Sequence, residues 1–225
     1  MVRVDFRRLD AYFRQRVEEG LLPGALVLVA REGEVAFQGV YGLLDPERGL
    51  PMREDALFRL YSMTKPWVSA LALTFLEEGA LSLQDRWRST CELSSSGWAG
   101  RWGRRWVWEP VRRPLTVYDL LRHTAGLTYG VFFRSPVKGL YLQAGVDRFD
   151  LTREAFLQRL AGLPLRFQPG EAFEYGLATD VLGHLLEALA GRSLAELLEE
   201  RLFRPLGMRD SGFQAKDPPA WPSPS

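Results

Sequence analysis

The sequence is poor in cysteine, histidine and lysine, and each scarcity narrows what it can do. A single cysteine, Cys91, stands among 225 residues, which excludes an intramolecular disulfide and a cysteine-built metal site. Only two histidines occur, His123 and His184. The first reads as a turn residue and the second as part of a helix, and neither has a carboxylate partner that sequence identifies. No stretch approaches ~18 unbroken apolar residues, so no membrane span is expected. The opening Met1–Asp10 lacks the continuous apolar centre of a secretory leader, and a cytoplasmic protein is the expectation. Net charge is also nearly absent: 29 basic and 28 acidic residues leave +1. That balance supplies no global field for nucleic acid or an anionic membrane. Just three of the bases are lysine, a bias we read as a GC-rich genome rather than a thermophile signal.

What is present is a core-forming sequence, 46% hydrophobic. Phe6, Leu9, Phe13 and Val17 recur at helical spacing over residues 5–20, with Asp5 as the expected cap. Pro23-Gly24 ends that unit. Ala25–Ala30, the turn Arg31-Glu32-Gly33-Glu34 and Val35–Tyr41 predict a β-hairpin with one buried face. Met63–Glu78 is helical in pattern and apolar on nearly all sides, which predicts a central buried helix closed by Gly79. Thr116 caps a short helix, Val117–Arg122. Residues 130–150 read as loop. Helices are expected at 152–161, 178–190 and 193–203, punctuated by Pro164, Pro169-Gly170 and Gly191. Residues 86–108 hold five of the seven tryptophans, Ser94-Ser95-Ser96 and dense arginine, with neither helical nor strand period. Residues 213–225 form a polar, irregular tail.

The chemistry starts at Ser62-Met63-Thr64-Lys65. Three-residue spacing at a helix start puts serine and lysine on one face, about one turn apart. A serine hydroxyl is a weak nucleophile that needs a base or a field to lose its proton. A desolvated lysine can accept that proton if burial lowers its pKa. The helix N-terminus adds free backbone N–H groups near the reacting oxygen. The competing reading makes Ser62 an ordinary N-cap. Twelve serines and three lysines yield roughly 0.2 chance Ser-x-x-Lys matches. A second match, Ser135-Pro136-Val137-Lys138, lies beside Pro136 and Gly139 with no helix expected after it, and reads as coincidence.

Longer patterns resolve the choice at Ser62. Phe58–Lys65 resembles the active-site segment of the serine β-lactamase-related family, which takes in class C β-lactamases, D-alanyl-D-alanine peptidases and family VIII esterases. Leu115–Leu127 is similar to that family's LTxxDLLxHTSGL stretch, and Phe167–Leu177 to its PGxxFxYSN stretch. Leu182-Gly183 and Ala190-Gly191 continue in register. The resemblance implies a partial α/β serine β-lactamase/transpeptidase-like fold. The domain would run over 1–212, with 1–54 opening the α/β subdomain and 55–205 forming the all-helical subdomain. It implies three catalytic residues: Ser62 as the acylated nucleophile, Lys65 beside it, and Tyr175 as general base with the lysine. It implies no metal or organic cofactor. The partner would be a small-molecule ester, amide or β-lactam-like substrate; the sequence carries no signal for oligomeric state.

Two departures shape the functional expectation. Gly176-Leu177 stands where the family pattern often has Ser-Asn, so the amide that helps hold a peptide or β-lactam carbonyl is absent. An esterase-like serine hydrolase is therefore favoured over a β-lactamase or peptidase. The third family motif, Lys-Thr-Gly or His-x-Gly on a C-terminal strand, does not occur. Loss of one oxyanion donor typically costs ~10²–10³ in rate. The alternatives are thus a truncated inactive remnant and a penicillin-recognition-like binding module without turnover. We hypothesise that frameshifts caused the departure: with assumed codons, restoring one C after Asp85 turns Arg86–Cys91 into a family-like Pro-Val-Glu-Val-Tyr-Leu. A one-base shift alters the tail similarly, and residues 86–108 would then be poorly ordered. Codons at 85–110 and 213–225 that forbid a one-base repair would refute this.

Overall fold

The computed structural model describes residues 5–86, 98–101, 107–131, 135–148 and 150–214. The chain divides into two compact units, one built from the segment up to Arg59 and the other from Leu60–Phe213.

The first unit pairs a helix with a small sheet. Helix α1 spans Arg7–Glu18, and strands β1 and β2 span Gly24–Arg31 and Glu34–Asp45. The hairpin predicted from the apolar run is present, antiparallel from Gly24↔Gly42 to Arg31↔Glu34. Glu32 and Gly33 both take positive φ, 54° and 84°, the conformation that matches a tight turn to strand twist. A two-residue β3, Leu50–Pro51, adds to β2 as an edge, where proline is tolerated. The apolar stripe of α1 meets the sheet through stacked rings, Phe6 on Phe37 at 5.2 Å and Phe13 on Tyr41 at 5.6 Å. Asp5 does not cap the helix. Phe6 is the N-cap without a side-chain bond, and the Asp5 carboxylate accepts instead from the Arg7 backbone and guanidinium.

The second unit is mainly helical. A 3₁₀ turn, Tyr61–Met63, runs into α2, Thr64–Glu77. After it come β4 (Trp98–Arg101), β5 (Val107–Pro110), α3 (Val117–Leu121), α4 (Pro136–Ala144), α5 (Arg153–Ala161), α6 (Ala178–Ala190) and α7 (Leu194–Leu198). A π-helical turn, Glu199–Phe203, extends α7. Leu71, Leu120, Tyr141, Leu182, Leu186 and Leu198 form the fully buried centre. Thr116 caps α3 in a reciprocal box with Asp119, and Ser193 caps α7 the same way with Glu196, satisfying otherwise orphaned N–H groups.

Three expectations are corrected. Helix α2 is buried along one stripe only: Val68, Leu71, Ala72 and Phe75 are inside while Leu73 is half exposed. Two residues advance ~200° around a helix, which turns Leu73 away from Leu71 and Phe75. Residues 136–144, read as loop, are helix α4. Pro136 sits in its first turn, where it costs no hydrogen bond, and Gly145 closes it at φ 61°. Inside 86–108 and running just past it, Trp98–Arg101 and Val107–Pro110 pair as antiparallel strands. Main-chain pairing needs no apolar alternation, so the missing period hid it. The expectation of poor order for the rest of that stretch, and the tail beyond Gln214, lie outside the described residues.

Candidate active site

Two loop segments of the second unit meet beside the start of α2. The segment from His123 to Gly126 is laced to the segment from Arg166 to Glu174 by three backbone bonds. Arg166 N donates to Gly126 O at 2.8 Å, Gly170 N to Thr124 O at 2.8 Å, and Glu174 N to His123 O at 2.9 Å. Gly126 needs its φ of 79°, and a Cβ there would lie 2.5 Å from the Phe167 carbonyl oxygen. The lacing puts the two longer sequence patterns side by side.

Ser62 lies exposed in the 3₁₀ turn. Helix α2 is capped at Met63 without a side-chain bond, so the Ser62 hydroxyl is not spent as a helix cap. Tyr61, the residue before it, has φ 45°. A bulky side chain there is a genuine outlier, of the kind that clusters at functional sites.

Lys65 is half-buried between two tyrosines. Its Nζ donates to Tyr129 Oη at 3.0 Å and stands 5.0 Å from the centre of the Tyr175 ring. The two rings are 5.8 Å apart at 57°. Tyr129 Oη in turn lies 3.4 Å from Asp180 Oδ2, in the first turn of α6. Desolvation pulls the Lys65 pKa down, but the Tyr129 bond, the Asp180 charge and Tyr175 outweigh it and hold the ammonium above its ordinary range. This corrects the expectation of a lysine neutralised by burial: Lys65 is a cation at neutral pH. Burial, then the Asp180 charge, pushes Tyr129 up to about 12 against the opposing Lys65. Tyr129 therefore stays a neutral phenol.

Tyr175, 38% exposed, has its ring stacked on His123 at 5.3 Å and 25°. His123 takes φ 55°, and its Nε2 lies 3.4 Å from Thr179 Oγ1. Burial, then the Lys65 charge, lowers its pKa, so it packs as a neutral ring. His184 faces Glu187 at 2.9 Å on α6. The structure thus brings Lys65 and Tyr175 together and adds Tyr129 and Asp180, which sequence reasoning missed. Tyr129 stands two residues beyond the Gly126-Leu127 turn, a position the sequence pattern marks, whereas Asp180 has no local signature.

The Gly176-Leu177 departure has a steric basis. A Cβ on Gly176 would come within 2.6 Å of both Leu127 O and Thr128 Cα. Leu177 is 2% exposed in the core and begins α6, so this position offers no polar group to a substrate. Among the described residues, no group of three or more His, Cys, Asp or Glu could hold a metal ion, and no helix is long and apolar enough to cross a membrane.

An exposed serine in the turn before α2, a lysine one helical turn on and a tyrosine delivered by a laced loop all belong to the second unit. Residues 9–221 match the Beta-lactamase family, and the chain belongs to it. The fold is the serine β-lactamase/transpeptidase-like fold, mixed helix and sheet. The chain is 39% identical over 215 residues to esterase EstB of Burkholderia gladioli, covering 94% of itself and 52% of that relative. It is 30% identical over 216 residues to lovastatin esterase of Penicillium rubens, covering 91% and 52%. Among solved structures, EstCE1, a hydrolase with promiscuous acyltransferase activity, superposes with a TM-score of 0.82 at 33% identity. That match covers 94% of this chain and 54% of EstCE1. Unliganded simvastatin synthase LovD from Aspergillus terreus superposes with a TM-score of 0.75 at 26% identity, covering 94% and 55%. The chain spans about half the length of the curated relatives it matches.

Proposed function

We propose that this chain carries the acylation machinery of a serine esterase acting on small-molecule esters. Ser62 is the nucleophile, Tyr175 its general base and Lys65 the cation beside that base. Ser62 Oγ bonds the ester carbonyl carbon as its proton passes to Tyr175. The tetrahedral adduct expels the alkoxide, which takes that proton, and leaves an acyl-enzyme. Water then repeats the sequence in place of Ser62, freeing the acid. An alcohol in place of water makes the same site an acyltransferase, an activity that EstCE1 has alongside hydrolysis.

The observation that carries this reading is Lys65 Nζ held between Tyr129 and Tyr175, one turn beyond Ser62. Lys65 supplies a fixed cation beside Tyr175, placed where charge develops as a proton is transferred. Esters are favoured over amides and β-lactams because Gly176 and the buried Leu177 leave no amide for a peptide-like carbonyl. A cytoplasmic site of action belongs to the same reading, supported by the single cysteine.

The test exposes the chain to a fluorescent fluorophosphonate and to p-nitrophenyl esters. Labelling and turnover, both abolished by Ser62→Ala, are the expected result. Labelling without turnover identifies a binding module, and no labelling identifies an inactive remnant.

A further inference from the structure

The lysine of the second Ser-x-x-Lys match is itself part of a buried construction. Lys138, on α4, is 3% exposed. Its Nζ lies 2.9 Å from Glu174 Oε1. The same oxygen accepts from Thr128 Oγ1 at 2.6 Å, and the other carboxylate oxygen accepts from Arg166. Burial alone would push the Glu174 carboxyl up, but the bonds from Arg166, Thr128 and Lys138 hold it below the usual range.

The placement of these partners matters more than their charge. Glu174 immediately precedes Tyr175, and Thr128 immediately precedes Tyr129. Glu174 points inward while its neighbours Phe173 and Tyr175 are exposed at 67% and 38%. The 2.6 Å bond from Thr128 to Glu174 therefore joins the two backbone positions that deliver the two tyrosines flanking Lys65. Lys138 and Arg166 fix that junction to α4 and to the loop before Pro169.

We propose that Lys138, Glu174, Arg166 and Thr128 form a buried clamp that positions Tyr175 and Tyr129 around the Lys65 ammonium. Lys138 and Glu174 are positioning residues; they act through the tyrosines. This rests on the serine esterase reading for its kinetic consequence, though not for its structural one. Misplacing a catalytic group by about 1 Å costs as much as ~10²-fold in rate, so a clamp on the residues adjacent to both tyrosines is worth that order.

The test is a set of variants read two ways. Lys138→Met and Glu174→Gln each slow fluorophosphonate acylation of Ser62 roughly 10- to 100-fold. In a Tyr175→Phe background neither causes a further loss. Lys138→Arg restores most of the rate. A general weakening of the fold would slow both backgrounds alike, and that result overturns the proposal. The second reading needs no acylation: in protein carrying ¹³Cζ-tyrosine, Lys138→Met and Glu174→Gln shift the Tyr175 and Tyr129 resonances and leave Tyr118 in place. Unmoved Tyr175 and Tyr129 resonances in either folded variant also overturn it. A wild-type chain that never labels refutes the esterase reading alone, since the resonances still decide the clamp. If Lys138→Met does not fold, Glu174→Gln, which keeps the side-chain shape, carries both measurements.

Discussion

Ser62-Met63-Thr64-Lys65 and Ser135-Pro136-Val137-Lys138 share one spacing and both stand at helix starts, yet the fold uses them in opposite ways. Ser135 is a helix cap, accepting from the Lys138 backbone N–H at 3.2 Å. Ser62 is exposed and caps nothing. Lys138 is sealed against a carboxylate, whereas Lys65 is half open and faces two phenols. A buried ion pair consumes its lysine's hydrogen-bonding capacity in holding the fold. A lysine bonded to a phenol leaves the charge available to a reacting group. Spacing decides only that serine and lysine share a face; what the opposite wall presents decides whether the pair does chemistry.

The widest gap between the two regions should appear at the serines. Ser62→Ala is expected to abolish fluorophosphonate labelling with a circular dichroism spectrum unchanged. Ser135→Ala is expected to label at the wild-type rate. Labelling retained in Ser62→Ala would move the nucleophile elsewhere and break the comparison outright.

The lysines come next. Lys65→Met is expected to slow acylation ~10²–10⁴-fold, the range for loss of acid–base assistance, while costing under ~1 kcal/mol of stability, as half-open polar contacts do. Lys138→Met reverses the balance, removing ~3–5 kcal/mol by leaving the Glu174 charge buried and less well paired. Urea melts beside labelling rates separate the two. Equal stability losses would mean that Lys65 is also structural.

How far this contrast was legible in the sequence depends on what each residue needed. Tyr175 stands out in the sequence because Pro169-Gly170 and the aromatic positions around it form a continuous pattern. The hairpin and the Thr116 cap were equally local, set by turn chemistry and by one side chain three residues from its partner. Helix α4 is hidden in the sequence because Pro136 and Gly139 read as breakers; the first is favourable at a helix start, and the second is tolerated. Lys138 was dismissed with it. Asp180 and Glu174 carry no local signature at all. Their meaning comes from groups 51 and 46 residues away, Tyr129 and Thr128, and only the folded chain sets those distances. The sign of the Lys65 shift was misjudged for the same reason: burial is guessable from an apolar helix, whereas the phenol and carboxylate that outweigh it are not.

Titration offers a subtler separation, because the two regions fail at opposite ends of the pH scale. The folded Glu174 pKa lies below its unfolded value near ~4.3. Its stabilisation is present above that value and is lost as pH falls through the lower folded pKa. The folded Lys65 pKa lies above its unfolded value near ~10.4. Its stabilisation is complete below that value and is lost as pH rises through the higher folded pKa. Glu174→Gln should therefore flatten the acid limb of the stability curve and spare the alkaline limb, and Lys65→Met the reverse. Urea midpoints measured from pH 3 to pH 11 check both; an acid limb unchanged in Glu174→Gln would remove that carboxylate from the account.

The smallest effect concerns the cap. An N-cap serine replaced by alanine typically costs ~1 kcal/mol, so Ser135→Ala should lower the urea midpoint by that modest amount. Ser62→Ala should leave the midpoint unmoved, because no helix N–H depends on its hydroxyl. The released strain at Tyr61, φ 45°, gives this comparison a further edge. If the turn at Ser62 is held in a costly conformation for the sake of the nucleophile, Tyr61→Gly removes about 1–2 kcal/mol of that cost. Part of the gain is offset by the greater unfolded-state freedom of glycine. A folded chain that is no less stable, but acylates more slowly because its turn now wanders, is the expected outcome. A Tyr61→Gly variant less stable than wild type by more than ~1 kcal/mol would show instead that the tyrosine ring, rather than the serine it precedes, is what the turn is built to place.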